Sequence, residues 1–392
     1  MSLDEYLDTE LTGLQAMSLR RRLRIIQTGQ AESVIFAGRE LLMLSSNNYL
    51  GLANHPALKR AATRALERFG VGAGASRLVA GSLEPLHALE AHLARFKGVE
   101  AALVFGSGYL ANLGTLTALT GPGDVILSDA LNHASLIDGC RLSRATVMIY
   151  RHRDMEHLAA LLSASIAARH RFIVTDSVFS MDGDVAPLAR IVELARSYRA
   201  AVIIDEAHGV GLFGRNGAGV ASSLGLEREV DVHIGTLSKA LGAYGAYVAG
   251  SRRLIDYLLN RARSFIFSTG LPPAIASAAD AALSVIEAEP ERITRLHENA
   301  KRLRDGLESA GFKIGSTDSP ILPVMVGEAQ PALDLADALF ARGMYVIAIR
   351  PPTVPPGTAR LRVTPIATHT AEQLTVATEA FAVAGRATGI LC

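Results

Sequence analysis

One lysine and a nearby acid and histidine are the residues of this 392-residue chain with the most specific chemistry. Lys239 lies among small and hydroxylated residues in 235–242 (GTLSKALG), and an apolar run, 201–204 (AVII), ends directly before Asp205 and His208. A lysine amine can hold pyridoxal 5'-phosphate (PLP) as a Schiff base, while an acid pairs with the pyridine nitrogen and hydroxyls reach the phosphate. The sequence therefore predicts a PLP enzyme that acts on amino groups.

Asp205 follows a strand whose apolar composition indicates burial, and a buried carboxylate is costly unless it is paired. A pyridine nitrogen would pair with it and would stay protonated, so that the ring withdraws electrons. A carboxylate that caps the next helix is the alternative, but the presence of Lys239 favours the cofactor interpretation. His208 is expected to face the same pocket and to donate to the ring hydroxyl oxygen, although a histidine in Ala-His-Gly can also be structural.

The run 105–112 (FGSGYLAN) joins a predicted strand to a predicted helix. Glycines let backbone amides approach an anion, and a helix N-terminus adds partial positive charge. We therefore expect Ser107, Gly108 and Tyr109 to bind the cofactor phosphate together with Thr236. An ordinary strand-to-helix turn is the alternative, because this motif is common.

His133, in 132–135 (NHAS), follows another predicted strand. A histidine at this opening could stack on a planar ring and donate to a developing oxyanion. Alternatively, it could be a structural residue.

The glycine-rich run 70–77 (GVGAGASR) has the composition of a dinucleotide-binding fingerprint. It does not follow a strand in a βαβ unit, so that interpretation is rejected. A flexible loop near the active site is expected instead, with the role of Arg77 open.

Arg360 and Arg362 lie on a predicted short strand after the proline-rich run 350–357 (RPPTVPPG). Side chains alternate along a strand, so both arginines are expected on one face. An arginine directed into a pocket is a bidentate partner for a substrate α-carboxylate. The basic run 20–22 (RRR) is expected to be a solvated face of an N-terminal helix.

Apolar periodicity divides the chain into three regions. Residues 1–45 predict an N-terminal arm that consists of an amphipathic helix and two short strands. The predicted helix carries apolar residues at mixed three- and four-residue spacing, namely Leu11, Leu14, Leu19, Leu23 and Ile26. Residues 46–288 alternate seven apolar strands with helices, which predicts a large α/β domain with a mainly parallel seven-stranded sheet. Residues 289–392 predict a smaller C-terminal α+β domain.

Composition argues against several classes of protein. The formal net charge of +1 gives no electrostatic case for nucleic acid or an anionic membrane. No apolar stretch reaches the ~20 residues of a membrane-spanning helix, and a signal-peptide pattern is not found. With Cys140 and Cys392 at most one disulfide is possible, which favours a reducing cytoplasm. No metal site is expected.

Together these motifs resemble the α-oxoamine synthases, PLP-dependent enzymes of the aspartate-aminotransferase type (fold type I). The resemblance extends over nearly the whole chain. Further runs that carry it are 19–22 (LRRR), 45–51 (SSNNYLG), 177–184 (SVFSMDGD), 267–269 (FST) and 361–365 (LRVTP). Within the family, 348–355 (AIRPPTVP) is most similar to the member of biotin biosynthesis that uses L-alanine and a pimeloyl thioester.

The resemblance implies a role for each candidate residue. Lys239 would hold the cofactor and act as general base, with the other catalytic roles falling to His133, Asp205 and His208. Cofactor contacts would also come from Ser107, Gly108, Tyr109, Ser180, Thr236 and Thr269. Of these, Thr269 would reach the phosphate of a partner subunit, so that the active site lies at the interface of a homodimer. The amino acid carboxylate would meet Asn47 and Arg362, and the acyl side would be lined by Arg20 and Thr353.

The implied reaction is a decarboxylative condensation of L-alanine with pimeloyl-CoA or pimeloyl-acyl carrier protein. The nearest alternative is a sibling that uses glycine or serine with another acyl-CoA, of the 2-amino-3-ketobutyrate CoA ligase, 5-aminolevulinate synthase or serine palmitoyltransferase type. A simple aminotransferase and a catalytically inactive binding protein are further alternatives. The sequence leaves open the acyl carrier and the group that binds the distal pimeloyl carboxylate.

Overall fold

The computed structural model describes residues 1–21 and 23–391, so Arg22 of the basic run and Cys392 lie outside the described residues. The chain divides into two compact units. The large unit consists of Asn48–Ser180 and Asp184–Thr294. The small unit combines Met1–Asn47 and Met181–Gly183 with Arg295–Cys392.

Strands alternate with helices along most of the chain. The strands are β1 (Ser33–Phe36), β2 (Arg39–Met43), β3 (Ala101–Phe105), β4 (Val125–Asp129), β5 (Thr146–Tyr150), β6 (Arg171–Asp176), β7 (Ala201–Asp205), β8 (Val232–Thr236), β9 (Ala246–Gly250), β10 (Leu322–Gly327), β11 (Met344–Tyr345), β12 (Ile347–Ile349) and β13 (Ala359–Val363).

The helices are α1 (Leu3–Ala16), α2 (Pro56–Phe69), α3 (Glu84–Lys97), α4 (Gly108–Leu119), α5 (Ala134–Leu142), α6 (Met155–Ala164), α7 (Leu188–Tyr198), α8 (Val220–Ser223), α9 (Arg252–Arg261), α10 (Arg263–Ile266), α11 (Pro273–Ala288), α12 (Glu291–Ser309), α13 (Ala329–Ala341) and α14 (Ala371–Ala387). A short 3-10 turn covers Arg215–Gly217.

A seven-stranded sheet in the order β3-β9-β8-β7-β6-β4-β5 forms the centre of the large unit. Strand β9 is antiparallel to both of its neighbours, and the remaining pairs are parallel. Every residue of β3, β4, β8 and β9 is buried, as expected for strands covered on both faces. The predicted mainly parallel α/β sheet is confirmed.

The register of this sheet brings polar residues to one edge. Asp176 at the end of β6 pairs with Asp205 at the end of β7, and Asp205 pairs with Ile234 of β8. Strand β8 then ends at Thr236. Because parallel strands place their carboxyl ends at the same edge, the loops after β4, β6, β7 and β8 converge there.

The core of the large unit fills the space between the sheet and its helices. Helix α4 contributes Leu116, α5 contributes Leu136 and α9 contributes Leu258, all of them fully buried. The sheet faces them with Ile126, Val174, Ile203, Ile234 and Val248. Burying side chains of this size stabilises the fold by roughly 1.5–3 kcal/mol each.

The small unit contains two three-stranded sheets, β1-β2-β11 and β10-β13-β12. Strand β13 is antiparallel to both neighbours, and all five of its residues are buried. Helices α12, α13 and α14 pack around it through Leu303, Leu307, Leu335, Leu339 and Phe381. This packing holds the two arginines of β13 in place.

The prediction of a long N-terminal helix is wrong. Helix α1 ends at Ala16, and Ser18 takes a φ of 56°, a left-handed conformation that cannot continue a right-handed helix. Leu19 and Leu23 therefore lie beyond the helix, as does Ile26, which forms a β-bridge to Phe36 instead.

Arg20 and Arg21 of the basic run consequently lie outside α1. Arg20 and Arg21 are exposed on the segment that follows α1. The consecutive strands β11 and β12 belong to different sheets of the small unit. Within the described residues, none of the helices combines the length and apolar character that crossing a bilayer needs.

Candidate active site

Lys239 follows β8 and contacts a histidine that follows β7. The Nζ atom of Lys239 lies 2.8 Å from Nε2 of His208, and Nδ1 of the same ring lies 2.7 Å from the hydroxyl oxygen of Tyr49. His208 and Tyr49 are buried. The structure thus brings the predicted Lys239 and His208 together and adds Tyr49, which orients the imidazole from its other side.

Asp205 is the last residue of β7 and is buried. Its Oδ2 accepts a hydrogen bond of 2.7 Å from the amide of Asn112, and its Oδ1 accepts one of 2.8 Å from the backbone of Ala207. The Asn112 amide also donates to the hydroxyl of Ser135 at 2.8 Å. Both carboxylate oxygens are therefore held in fixed directions by helix α4 and by the turn after β7.

His133 caps the N-terminus of α5. Its Nδ1 lies 2.7 Å from the hydroxyl of Ser135, and its backbone N–H donates to Asp176 at 2.7 Å. Desolvation lowers the pKa of His133, an effect that Asp205 opposes and Lys239 reinforces. A neutral imidazole whose ring remains exposed can lie against a planar ligand.

Asp176 is buried beside Asp205. Burial raises the pKa of Asp176 well above its ordinary value, and the neighbouring Asp205 raises it further. Oδ2 of Asp176 accepts the backbone N–H of His133, so the end of β6 fixes the start of α5 beside Asp205.

Glu206, the residue after Asp205, connects the segment after β7 to helix α3. Glu206 forms a buried ion pair with Lys97 at the end of α3 and accepts the backbone N–H of Ala221 at 3.0 Å. Burial raises the pKa of Glu206, but Lys97 and His233 outweigh it and lower the pKa to about 2. The carboxylate is therefore ionised throughout the physiological range.

The expected phosphate cradle is the start of α4. Ser107 is the N-cap and accepts the backbone N–H of Leu110 at 3.3 Å, and Gly108 is the first helical residue. A Cβ on Gly108 would meet no heavy atom within 4 Å, so open space lies beside this helix N-terminus. The hydroxyl of Tyr109 donates to Asp138.

Of the remaining predicted cofactor residues, Thr236 is the last residue of β8, whereas Ser180 and Thr269 lie on loops of the large unit. Thr236 is buried, with its hydroxyl 2.7 Å from that of Ser238 and 3.0 Å from the carbonyl of Gly245. Ser180 is half-buried in the loop after β6. Thr269 is exposed and forms a β-bridge to Ser76.

In the small unit, the structure separates the roles of the two arginines of β13. Arg362 is buried and its Nη1 donates to Oδ1 of Asn47 at 3.0 Å. Arg360 is buried too, but it is held in an ion pair with Asp182. The structure therefore brings together Arg362 and Asn47, as the sequence predicted, and assigns Arg360 to a structural contact.

Thr353, which the resemblance places on the acyl side together with Arg20, contacts Arg21. Its hydroxyl accepts a hydrogen bond of 3.4 Å from Nη2 of Arg21, whereas Arg20 is exposed beside it in the sequence. Arg350 of the same loop donates to the backbone carbonyl of Ser18. Arg20 and Thr353 are thus on neighbouring segments, with Arg21 as the residue in contact.

The residues of the large unit fit PLP. The carboxylate of Asp205 makes no ion pair within the described part of the chain, so a protonated pyridine nitrogen would complete its surroundings. The helix N-terminus at Gly108 offers open space and backbone donors to a phosphate. Lys239 supplies the amine that the aldehyde needs.

Comparisons with known proteins agree with this chemistry. Residues 39–381 match the family model described as aminotransferase class I and II. An 8-amino-7-oxononanoate synthase of Geobacter sulfurreducens is 51% identical over 384 residues, which cover 97% of this chain and 98% of that protein. One from Anaeromyxobacter dehalogenans is 54% identical over 370 residues, 94% of this chain and 93% of that protein. The chain belongs to the 8-amino-7-oxononanoate synthase family.

Solved structures support the same placement of this 8-amino-7-oxononanoate synthase family member. A serine palmitoyltransferase of Sphingomonas wittichii has a TM-score of 0.94 at 34% identity and covers 99% of this chain and 98% of its own. A Francisella tularensis 8-amino-7-oxononanoate synthase has a TM-score of 0.77 at 28% identity and covers 88% of this chain and 98% of its own. The predicted fold type, the α-oxoamine synthase resemblance and the PLP cofactor are confirmed.

Three residues of the site were not assigned from the sequence, namely Tyr49, Asn112 and Ser135. All three lie inside runs that had been singled out: 45–51, 105–112 and 132–135. Their roles are defined by hydrogen bonds between distant segments, and no spacing rule predicts such bonds. The sequence did offer one indication: each of the three is a polar residue in a motif where a nearby residue had already been given a functional role.

Proposed function

We propose that this enzyme condenses L-alanine with a pimeloyl thioester to give 8-amino-7-oxononanoate in biotin biosynthesis. In this reaction the alanine Cα loses its proton and forms a bond to the thioester carbonyl carbon while the thiolate leaves. The alanine carboxylate then departs as CO2, and a proton returns to Cα. The observation that carries the proposal is the contact of Lys239 with His208 beside Asp205, together with relatives of that name at 51% and 54% identity.

Each residue of the large unit has a defined task in this reaction. When bound, PLP supplies an electron sink for the charge that develops at the amino acid Cα. Lys239 holds the cofactor and then moves the proton at Cα as general base and acid. Asp205, whose carboxylate is held by the Asn112 amide, would pair with the pyridine nitrogen and keep it protonated. His208, aligned by Tyr49, would bind the ring oxygen together with Ser180.

The acyl step needs stabilisation of a developing oxyanion. His133 is proposed to lie against the cofactor ring and to donate a ring N–H to that oxyanion. The phosphate is assigned to the amides at Ser107, Gly108 and Tyr109, with Thr236 as the hydroxyl donor.

The substrate carboxylate is assigned to Arg362. Its guanidinium is buried, and its Nη1 donates to the neutral Asn47 side chain at 3.0 Å. A guanidinium can donate two parallel hydrogen bonds to a carboxylate, which is the contact proposed for the substrate. Fixing this carboxylate would orient the Cα–H bond for proton removal. Arg20 and Thr353 are assigned to the acyl side.

The active form is proposed to be a homodimer in the cytoplasm. Thr269 is exposed rather than part of the phosphate cradle of its own chain, which fits a residue that reaches the partner's phosphate. Cys140 is a buried free thiol, as suits a reducing compartment.

A sibling reaction with serine is the second candidate. It is favoured by TM-scores of 0.93 and 0.94 to serine palmitoyltransferases, against 0.77 for the Francisella enzyme. Sequence identity favours alanine, because those serine palmitoyltransferases are only 33% and 34% identical to the chain.

The test is an assay of the purified PLP-loaded enzyme with alanine, glycine or serine. Each amino acid is combined with pimeloyl-CoA, pimeloyl-acyl carrier protein or palmitoyl-CoA, and thiol release is followed. Thiol release with alanine and a pimeloyl thioester is the expected result, and the two pimeloyl arms identify the carrier. Turnover with serine and palmitoyl-CoA alone would overturn the proposal and establish the second candidate.

A further inference from the structure

The glycine-rich loop that the sequence left without a role is attached to α3 by an ion pair. Both nitrogens of the fork take part: Nη1 and Nη2 of Arg77 lie 2.8 and 3.1 Å from the two carboxylate oxygens of Glu90. The side chains are 7% and 12% exposed. A bidentate pair with so little access to water is held in one geometry.

Glu90 connects this loop to the strand that leads into the phosphate cradle. Its Oε1 accepts the backbone N–H of Val104 in β3 at 3.0 Å. The chain continues from β3 through Phe105 and Gly106 to Ser107 and Gly108, where α4 begins. The position of the cradle therefore depends on the position of Glu90.

Arg77 connects the same carboxylate to the segment of Thr269. Ser76 forms a β-bridge to Thr269, and the backbone N–H of Gly270 donates to Ala75 at 3.0 Å. A Cβ at Gly270 would lie 3.4 Å from Cδ of Arg77, so the arginine stem packs against this turn. Loop and turn are thus fixed to each other next to the ion pair.

We propose that the Arg77–Glu90 pair is a positioning device that holds both phosphate-binding segments, the cradle at Gly108 and the turn at Thr269, in a common register. The proposal rests on the proposed function in one respect, the assignment of Thr269 to the partner's phosphate. Through this pair, each subunit would couple the phosphate site of its own chain to the one that it completes in the partner.

The physical reason is the cost of an isolated charge at a nearly buried position. Removing either partner leaves the other without its bidentate counterpart, and loss of Glu90 also leaves the Val104 N–H without its acceptor. Lysine keeps the charge of Arg77 but cannot form the two-point contact, nor the 3.0 Å bond from Nε to the Ser82 hydroxyl.

The test measures PLP binding by absorbance titration of the apo-enzyme, with no amino acid or thioester present. The variants are Arg77→Lys, Arg77→Gln, Glu90→Gln and the double variant of the two glutamines. Arg68→Gln is the matched control, because Arg68 pairs with Glu84 at 2.8 Å on the surface, with side chains 66% and 67% exposed. Thermal unfolding of each apo-protein is recorded in parallel.

The expected result is a PLP dissociation constant raised about tenfold or more in Arg77→Gln and Glu90→Gln. The PLP dissociation constant of the double variant should be no higher than that of the single variant that binds PLP less tightly. The dissociation constant of Arg68→Gln should equal that of the wild type. If the glutamine variants do not fold, a raised dissociation constant in Arg77→Lys carries the test. A lowered melting temperature with PLP affinity within twofold of the wild type would overturn the proposal, whichever amino acid and thioester the enzyme uses.

Discussion

Nζ of Lys239 lies 2.8 Å from Nε2 of His208, whose other ring nitrogen is 2.7 Å from the buried hydroxyl of Tyr49. The amine of Lys239 is therefore positioned by His208, which is itself held by the Tyr49 hydroxyl on the other side of its ring. A catalytic lysine must change from cofactor anchor to proton carrier without losing its place, and this contact restricts where its amine can move.

Replacing Lys239 by Ala should abolish the long-wavelength absorbance of bound cofactor and lower kcat by at least about 1,000-fold, since both anchor and general base are lost. Lys301→Ala is the control, because Lys301 forms an exposed i,i+4 pair with Asp305 and makes no other ion pair among the described residues. Residual turnover above a few per cent in Lys239→Ala would contradict its role as the base.

Tyr49→Phe removes one hydrogen bond to His208 and should lower kcat about two- to tenfold while leaving the fold intact. Tyr247→Phe is the matched control: Tyr247 is equally buried, and its hydroxyl has no partner within the described residues. That variant should be neutral or slightly stabilised. Equal effects of the two substitutions on kcat would show that Tyr49 does not act through His208.

Arg362→Met should raise the KM for L-alanine about 10- to 100-fold, because a charge-assisted bidentate contact with the substrate carboxylate is lost. Arg360→Met lies two residues away on the same strand and removes the ion pair with Asp182. We expect it to lower the melting temperature with little change in KM. A larger KM effect from Arg360 than from Arg362 would reverse the assignment.

His152 makes part of the stability of the large unit dependent on pH. Burial lowers the pKa of His152, but hydrogen bonds to Asp129 and Asp184 outweigh it and raise the pKa from 6.5 to about 9. The folded protein thus keeps a proton that the unfolded chain loses. This stabilisation is complete below about pH 6.5 and disappears as the pH rises through about 9.

His152→Gln should therefore cost on the order of 2 kcal/mol of unfolding free energy at pH 6 and much less at pH 9.5. Urea unfolding of both proteins at these two pH values is the measurement. A destabilisation of equal size at both values would show that packing of His152 against Phe179, rather than its charge, is responsible.

The sheet was predictable because its strands are short and almost wholly apolar. The run 201–204 is a buried strand in the sequence and in the structure, where the strand extends one residue further to Asp205. Buried parallel strands end at the edge of the sheet where ligands bind. The polar residues that follow these strands could therefore be identified from the sequence alone as candidates for the active site.

The N-terminal helix shows where periodicity misleads. Leu11 and Leu14 lie on α1, but none of the residues of α1 is buried, so no packing defines where the helix should end. Leu19 and Leu23 continue an apolar spacing after the backbone has already turned at Ser18. Apolar spacing predicts which face of a helix is apolar, but it does not predict where the helix ends.

Long-range polar contacts were the other limit. Arg77 and Glu90 are 13 positions apart and on different elements, and nothing in the sequence around either residue indicates that they pair. The same is true of Asn112 and Asp205, which are separated by 93 positions. Such contacts follow from how helices α3 and α4 pack in the folded unit, and local propensity does not encode that.

The most direct test of the central claim uses L-alanine labelled with 13C in its carboxyl group, together with a pimeloyl thioester. We predict one labelled CO2 for each thiol released, and a product with the mass of unlabelled 8-amino-7-oxononanoate. Pyruvate that keeps the label, formed without thiol release, would instead identify an aminotransferase and contradict the account.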